Sequence, residues 1–246
     1  MDWFVTTAYN YYTYFPDLLS SKLIDSVSKP KKFDVLLGSR RPNREFVFNS
    51  IKNTSLYHDS ILTMFDAKNQ LPDYHNPDVF IFETDGVEIL NPHSKHTVEK
   101  VKYHGQEMSI SQIVPISIYN QTYYSVVAET NCSNQYNFYT EKTAKPLIAG
   151  RLFVAFAGQY FLKNLRKLGF QTFSEVIDES YDIEPDQTVR WEMAVQQLNY
   201  LAHQSPEYVL NKIKPVVEHN QRVVNQNWHQ LANQHLIVEI ARIVAD

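Results

Sequence analysis

Over much of the chain the apolar positions fall in short, nearly continuous runs. Phe33-Asp34-Val35-Leu36-Leu37 stops at Gly38, Val79-Phe80-Ile81-Phe82 runs into Glu83-Thr84-Asp85-Gly86, and Leu152 to Ala157 closes on Gly158. Runs of this length bounded by turn formers predict buried strands. Ile113 to Tyr119 and Tyr123 to Ala128 read as two further β-rich runs, separated by an Asn-Gln-Thr turn. Helical spacing appears between them. Phe46 to Ile51 follows a basic loop and predicts a helix with Asn43 as its cap, and 140–150 predicts a short helix. Tyr160, Leu162, Leu165 and Leu168 predict a helix that Gly169 ends. Residues 186–203 and 206–245 read as helical, with interruptions at Pro206 and Pro215.

Three stretches resist assignment. Residues 1–30 are aromatic and polar with no clean period, 66–78 are rich in turn formers, and 91–112 are polar and unpatterned. The alternation of strands and helices predicts α/β layers. A boundary near 110–120 would divide the 246 residues into an N-terminal lobe, 1–115, and a C-terminal lobe with closing helices, 116–246.

Composition narrows the chemistry. The six glycines are too far apart for a G-x-G-x-x-G fingerprint, and no G-x-x-x-x-G-K-[ST] exists, which excludes those two phosphate-binding motifs. A net charge of −4 argues against bulk nucleic-acid coating. The one cysteine, Cys132, excludes an intramolecular disulfide and thiolate zinc ribbons. The N-terminal stretch lacks a basic region followed by an apolar run, and no stretch is long and apolar enough to span a bilayer, so a cytoplasmic protein without a membrane span is expected.

Charge is not evenly spread. Residues 29–52 carry seven basic side chains, Lys29, Lys31, Lys32, Arg40, Arg41, Arg44 and Lys52, against two acidic ones. Guanidinium forks suit phosphate oxygens, so Arg40, Arg41 and Arg44 are candidates for a diphosphate or a phosphate backbone; a solvated basic loop reads equally well. Glu129 follows a predicted strand, and Thr140-Glu141-Lys142 opens a predicted helix, so both can sit at the carboxyl edge of one sheet, where open α/β folds bind ligands. There Glu141 could accept ribose hydroxyls, with Lys142 and Lys145 beside a diphosphate. The plainer alternative is a capping acid with solvated lysines. Residues 174–192 hold seven acids, Asp178 and Asp182 among them, and read as a capping loop or a partner for the arginines before they read as a metal site. His93, His96 and His104 have no diagnostic spacing. Trp191 and Trp228 read as packing residues.

Phe138-Tyr139-Thr140-Glu141-Lys142, followed by Pro146-Leu147-Ile148-Ala149-Gly150 and the strand to Gly158, resembles the donor-sugar motif of α1,3-fucosyltransferases. Val126 to Asn131 stands where that family has a strand ending in a Glu-Asn pair, and Phe138 stands at the family's tyrosine. Over most of its length the chain also resembles uncharacterised bacteriophage proteins sharing F-D-V-L-L-G-x-x-R-P-x-R, T-E-K-T-x-K-P and L-G-F-x-T-F. The first likeness implies a reduced GT-B-like arrangement of two small Rossmann-like lobes and a glycosyltransferase. Its substrate would be a nucleotide-diphosphate sugar, with no separate cofactor or metal. Glu129, Asn131, Thr140, Glu141, Lys142 and Lys145 would bind the donor. Glu83 and Asp85, ending the Val79–Phe82 strand, are the candidate catalytic base. The second likeness makes modified phage DNA a possible acceptor beside a glycan. It also leaves open a non-catalytic phage-type binding or assembly protein on the same fold.

Overall fold

The computed structural model describes residues 2–16, 28–74, 87–91, 100–132, 138–226, 228 and 230. Its main sheet has four parallel strands: β1 (Lys31–Leu36), β2 (Ser60–Thr63), β6 (Thr122–Ala128) and β7 (Phe153–Phe156), in the order β2-β1-β6-β7. Phe33 pairs with Ser60 on one side and with Tyr124 on the other, and Ser125 pairs with Phe153. The strands read as near-continuous apolar runs because both faces of the sheet are covered, as parallel sheets require. All four residues of β7 are at most 3% exposed.

Helix α1 (Asp2–Tyr14) precedes the sheet, α2 (Pro42–Lys52) links β1 to β2, and α3 (Ile116–Gln121) leads into β6. Helix α4 (Glu141–Ile148) links β6 to β7, and α5 (Phe161–Lys167), α6 (Gln187–His203) and α7 (Pro206–Val224) follow. The β1-to-β2 and β6-to-β7 crossovers run in opposite directions along the sheet. With right-handed connections they place α2 and α4 on opposite faces. Helix α6 joins α2 on one face, while α1 and α7 pack with α4 on the other. This is a layered α/β fold with a parallel sheet between helices, compatible with a Rossmann-like arrangement. The sheet takes two strands from either side of residue 115, so the expected lobe boundary falls within one sheet.

A second sheet, antiparallel in the order β3-β4-β5, consists of Glu88–Asn91, Lys100–Tyr103 and Gln106–Ser109. It occupies part of the stretch left unassigned above. The aromatic N-terminus proves helical. Phe4, Val5, Ala8 and Tyr11 recur at helical spacing and are buried, with the Phe4 ring 6.0 Å from Phe170 and 5.4 Å from Trp228. Trp191 and Trp228 are both buried packing residues.

Three local expectations need correction. Ile113–Tyr119 is not a strand: a 3-10 turn over Ile110–Gln112 leads to Pro115, which caps α3. Proline's fixed φ suits a helix start and overrides the β-branched residues around it. Asn43 is not the cap of α2; that position is Arg41, with Pro42 opening the helix. Pro215 does not interrupt α7, which is continuous through it.

Candidate functional site

Chain direction determines where a ligand can sit. From β1 the chain leaves toward β2, and from β6 it leaves toward β7, so the loops after these neighbouring strands diverge. A crevice between strands whose connections part in this way is the usual ligand site of an open α/β sheet. Residues 37–41 form one wall and residues 129–132 with the start of α4 form the other. The sequence candidates on both segments therefore converge at this carboxyl edge, although their individual environments differ.

Glu129 is fully buried and its carboxylate is occupied. It accepts from the backbone N–H of Thr130 and of Thr140, both at 3.0 Å, from the Thr140 hydroxyl at 2.7 Å, and from the Thr143 hydroxyl. These bonds fasten the end of β6 to the start of α4. Thr140 is the N-cap of that helix, its hydroxyl accepting from the Lys142 N–H. Asn131 is half-buried in the loop beyond Glu129.

Glu141 opens the helix, is buried and forms an ion pair with Lys142. Burial alone would raise its carboxyl pKa, but Lys142 and Lys145 hold it below the ordinary value. Lys145 lies one turn further along. Burial, with Lys142 beside it, pushes its ammonium down to about 8, against the pull of Glu141 and Asp34.

The three arginines separate. Arg40 makes an exposed ion pair with Glu45 at 3.3 Å, an interaction of little energetic weight. Arg41 donates to the Thr130 carbonyl at 3.2 Å and so reaches across from the β1 loop to the β6 loop. Arg44 is only 5% exposed and donates to the Ser39 carbonyl at 2.8 Å. Among the described residues no carboxylate lies within ion-pair distance of it. Burial and the neighbouring Arg41 lower its pKa, with Glu141 and Glu129 opposing from further off.

The sequence reading missed three residues of this edge. Asn43 is buried and donates to the carbonyls of Glu129, at 2.8 Å, and Phe156, at 3.2 Å, tying the ends of β6 and β7 to α2. Arg190 of α6 donates to the carbonyls of Ala157, Glu184 and Cys132. The Cys132 thiol is pushed up by burial, despite the Asn43 backbone N–H and three guanidiniums nearby. Asn43 stands directly after Pro42 in an R-P-N-R run, which draws attention to the arginines instead.

Other candidates lie elsewhere. Glu83 and Asp85, the strand that carries them, and His93 and His96 are outside the described residues. Four of the acids of 174–192 serve the fold. Asp182 accepts from the N–H groups of Leu162 and Lys163, Glu179 pairs with Arg166 at 2.9 Å, and Asp178 and Asp186 cap the helical turns that follow them. They do not pair with Arg40, Arg41 or Arg44. No group of His, Cys, Asp and Glu that could hold a metal occurs among the described residues.

Nor is the basic stretch 29–52 a single patch. Lys29, Lys31 and Lys32 stand at the amino end of β1, where their ammonium groups bond the carbonyls of Tyr119, His58 and Ala202. The arginines lie beyond its carboxyl end, about 20 Å away at the usual rise of a strand. A separate open groove of 630 Å³ lies between α1 and the second sheet, lined by Thr6, Asn10, Lys100 and Glu107 among others, none of them a crevice residue.

No helix among the described residues is long and apolar enough to cross a membrane. Comparison of the chain with protein-family models, curated proteins and solved structures found no match.

Proposed function

We propose that the crevice between β1 and β6 binds the diphosphate of a nucleotide sugar, and that the protein transfers the sugar to a hydroxyl acceptor. The observation that carries the first half is Arg44. Among the described residues it has no carboxylate partner, and a buried guanidinium in that state is costly unless an anion completes it. Arg41, Lys142 and Lys145 gather on the same edge, and among the described residues there Glu141, with its side chain 11% exposed, is the carboxylate beside them. Four cations around so little negative charge suit a ligand bearing two phosphates. The sugar-transfer half rests on the motif likeness of Thr140-Glu141-Lys142 and its flanks.

In this reading Arg41 and Arg44 hold the phosphate oxygens and offset the charge that grows on the leaving diphosphate. Glu141, oriented by Lys142, accepts the ribose hydroxyls. Glu129 and Thr140 act as positioning residues, since their polar atoms are engaged with each other. Glu83 or Asp85 takes the acceptor proton. The acceptor is a hydroxyl of a glycan or of modified DNA; on DNA the arginines would contact phosphate without the amino-edge lysines, whose ammonium groups bond backbone carbonyls.

A second reading has one observation in its favour. Both carboxylates described at the edge, Glu129 and Glu141, are already bonded, which suits a protein that binds the ligand without turnover. Calorimetric titration with nucleoside diphosphates and with pyrophosphate tests both readings. Wild type should bind, and Arg44→Ala should bind more weakly by about 1.5–3 kcal/mol, the range for charge-assisted hydrogen bonds. Release of sugar from a nucleotide sugar supports the enzyme. Binding without release supports the second reading, and no binding of either probe ends both.

A further inference from the structure

The groove between α1 and the second sheet belongs neither to the crevice nor to the motif likeness. Its position follows from the hairpin beside it. The two-residue turn at His104 and Gly105, with φ of 46° and 84°, makes Tyr103 and Gln106 the first hydrogen-bonded pair. Such pairs alternate along an antiparallel ladder, so Val101 and Met108 form the next one. The N–H and C=O of Glu107 and Ser109 then point away from β4, along the outer edge of β5, the last strand of its sheet. The Ser109 N–H donates to Gln112 Oε1 at 3.3 Å, inside the capping box of the 3-10 turn. Glu107 keeps its two main-chain groups, and no bond to either occurs among the described residues.

The groove follows this edge. Met108 lines it from the buried face of β5 and Glu107 from the exposed face, so it runs along the rim of the strand instead of over either face. Across it stand Thr6 and Asn10, one turn apart on α1 and half-buried. Neither the Thr6 hydroxyl nor the Asn10 amide makes a hydrogen bond among the described residues. The two charges in the lining, Lys100 and Glu107, are paired with each other at 2.9 Å. One wall thus offers main-chain groups, the other offers an uncharged hydroxyl and amide, and the charges cancel.

We propose that this groove takes an extended, uncharged peptide segment of a partner protein as a fourth strand on β5. A strand is polar along both edges and needs partners on each. Glu107 meets one edge through main-chain bonds, the mode of strand addition, and Asn10, with two donors and an acceptor, meets the other. Alternate residues of the segment lie beside Met108, which favours an apolar side chain there. The four residues of β5 span about 13 Å, room for roughly as many residues of peptide. A charge on the segment would go unmatched, because Lys100 and Glu107 already neutralise each other. A second copy of this chain is a poor occupant. With Glu107 supplying the free groups, a two-fold pairing of β5 with itself sets Glu107 directly opposite Glu107, two like charges on one face. The proposal stands apart from the reading of the crevice.

Panning a displayed library of random heptapeptides on the full chain tests this, with Glu107→Pro and Asn10→Ala as counter-targets. Proline at Glu107 removes an outward N–H and no bond of the β4–β5 ladder. Alanine at Asn10 preserves α1, being a good helix former. Wild type should enrich uncharged, proline-free sequences, and each variant should bind them at least about fivefold more weakly in calorimetry, the scale of one neutral hydrogen bond. An enriched peptide resynthesised with every second amide N-methylated should lose binding in at least one of the two alternating sets. Asn10→Ala and the N-methylated peptides serve if Glu107→Pro does not fold. No enrichment, enrichment of charged sequences, binding that survives both substitutions, or binding indifferent to N-methylation overturns the proposal. So does a wild-type dimer in sedimentation that Glu107→Pro dissolves, which assigns the edge to a second copy.

Discussion

Lys145 illustrates how burial turns a side chain into a pH-dependent stability element. Its ammonium titrates near 8 in the folded chain and near 10.4 when unfolded. Between these values the unfolded chain holds a proton that the folded chain has released, so stability rises with pH across this window. Below about pH 8 both states are protonated and the cost of burying the charge is present in full. The groups facing it are Glu141, Lys142 and Asp34. Urea denaturation of wild type and Lys145→Met at pH 7.5 and 9.5 should show wild type gaining relative to the variant as pH rises; a constant difference would mean that the ammonium is solvated. Lys29, also lowered to about 8, is present in both proteins and cancels.

Asp34 represents the opposite case, a buried charge with its partner in place. It accepts from Arg151 at 2.8 Å and from the hydroxyls of Ser125 and Thr122, while Arg151 also bonds the carbonyls of Tyr119 and Thr122 and lies over the Tyr119 ring. Asp34→Asn would leave the guanidinium without its counter-charge and should cost about 3–5 kcal/mol in chemical denaturation. A double replacement by apolar residues should cost less. Asp34 is the one charged position in the run Phe33 to Leu37. The residue that explains it lies far along the chain, where local pattern cannot point to it.

The legible elements are those whose signal is local. Strand β1 and its glycine stop, α4 behind Thr140, and β7 between Arg151 and Gly158 each carry start, body and end within a few residues. The convergence of Arg41, Arg44 and the Thr140–Lys142 stretch was legible only through the rule for carboxyl edges of parallel sheets. The occupied state of Glu129 was not, because its donors belong to a helix start that sequence spacing places nearby without orienting it. The β4–β5 hairpin was missed although its turn was written in the sequence. His104 and Gly105 have φ of 46° and 84°, the two-residue geometry that matches strand twist. Their flanks are polar and hide the alternation. A methyl group at Gly105 would touch nothing, so Gly105→Ala isolates the backbone effect. It should lower stability by about 1–2 kcal/mol, the usual left-handed penalty, as measured by urea unfolding.

At the scale of the whole molecule, β6 is the hinge of the architecture. It pairs with β1 on one side and β7 on the other, one partner preceding it in the chain and one following it. Fragments 1–115 and 116–246, expressed separately, should therefore fail to give cooperative thermal transitions, since each exposes an apolar strand edge. Mixing them should restore a transition if the sheet reassembles. Two independently melting fragments would instead favour two lobes.

Asp34 and Arg151 are separated by 117 positions in the chain. At about 5–20 residues per second, a ribosome needs roughly 6–23 s to deliver the guanidinium after the carboxylate. Until Ala128 is made β1 can take β2 as a neighbour but not β6, and through the whole interval it lacks the charge that neutralises its own interior. Newborn chains thus pass through a long stage in which the first strand carries an unmet acid and an open edge. That stage favours contact with a chaperone over early burial, and it makes the yield of folded protein sensitive to the pace of translation across the stretch between the two strands.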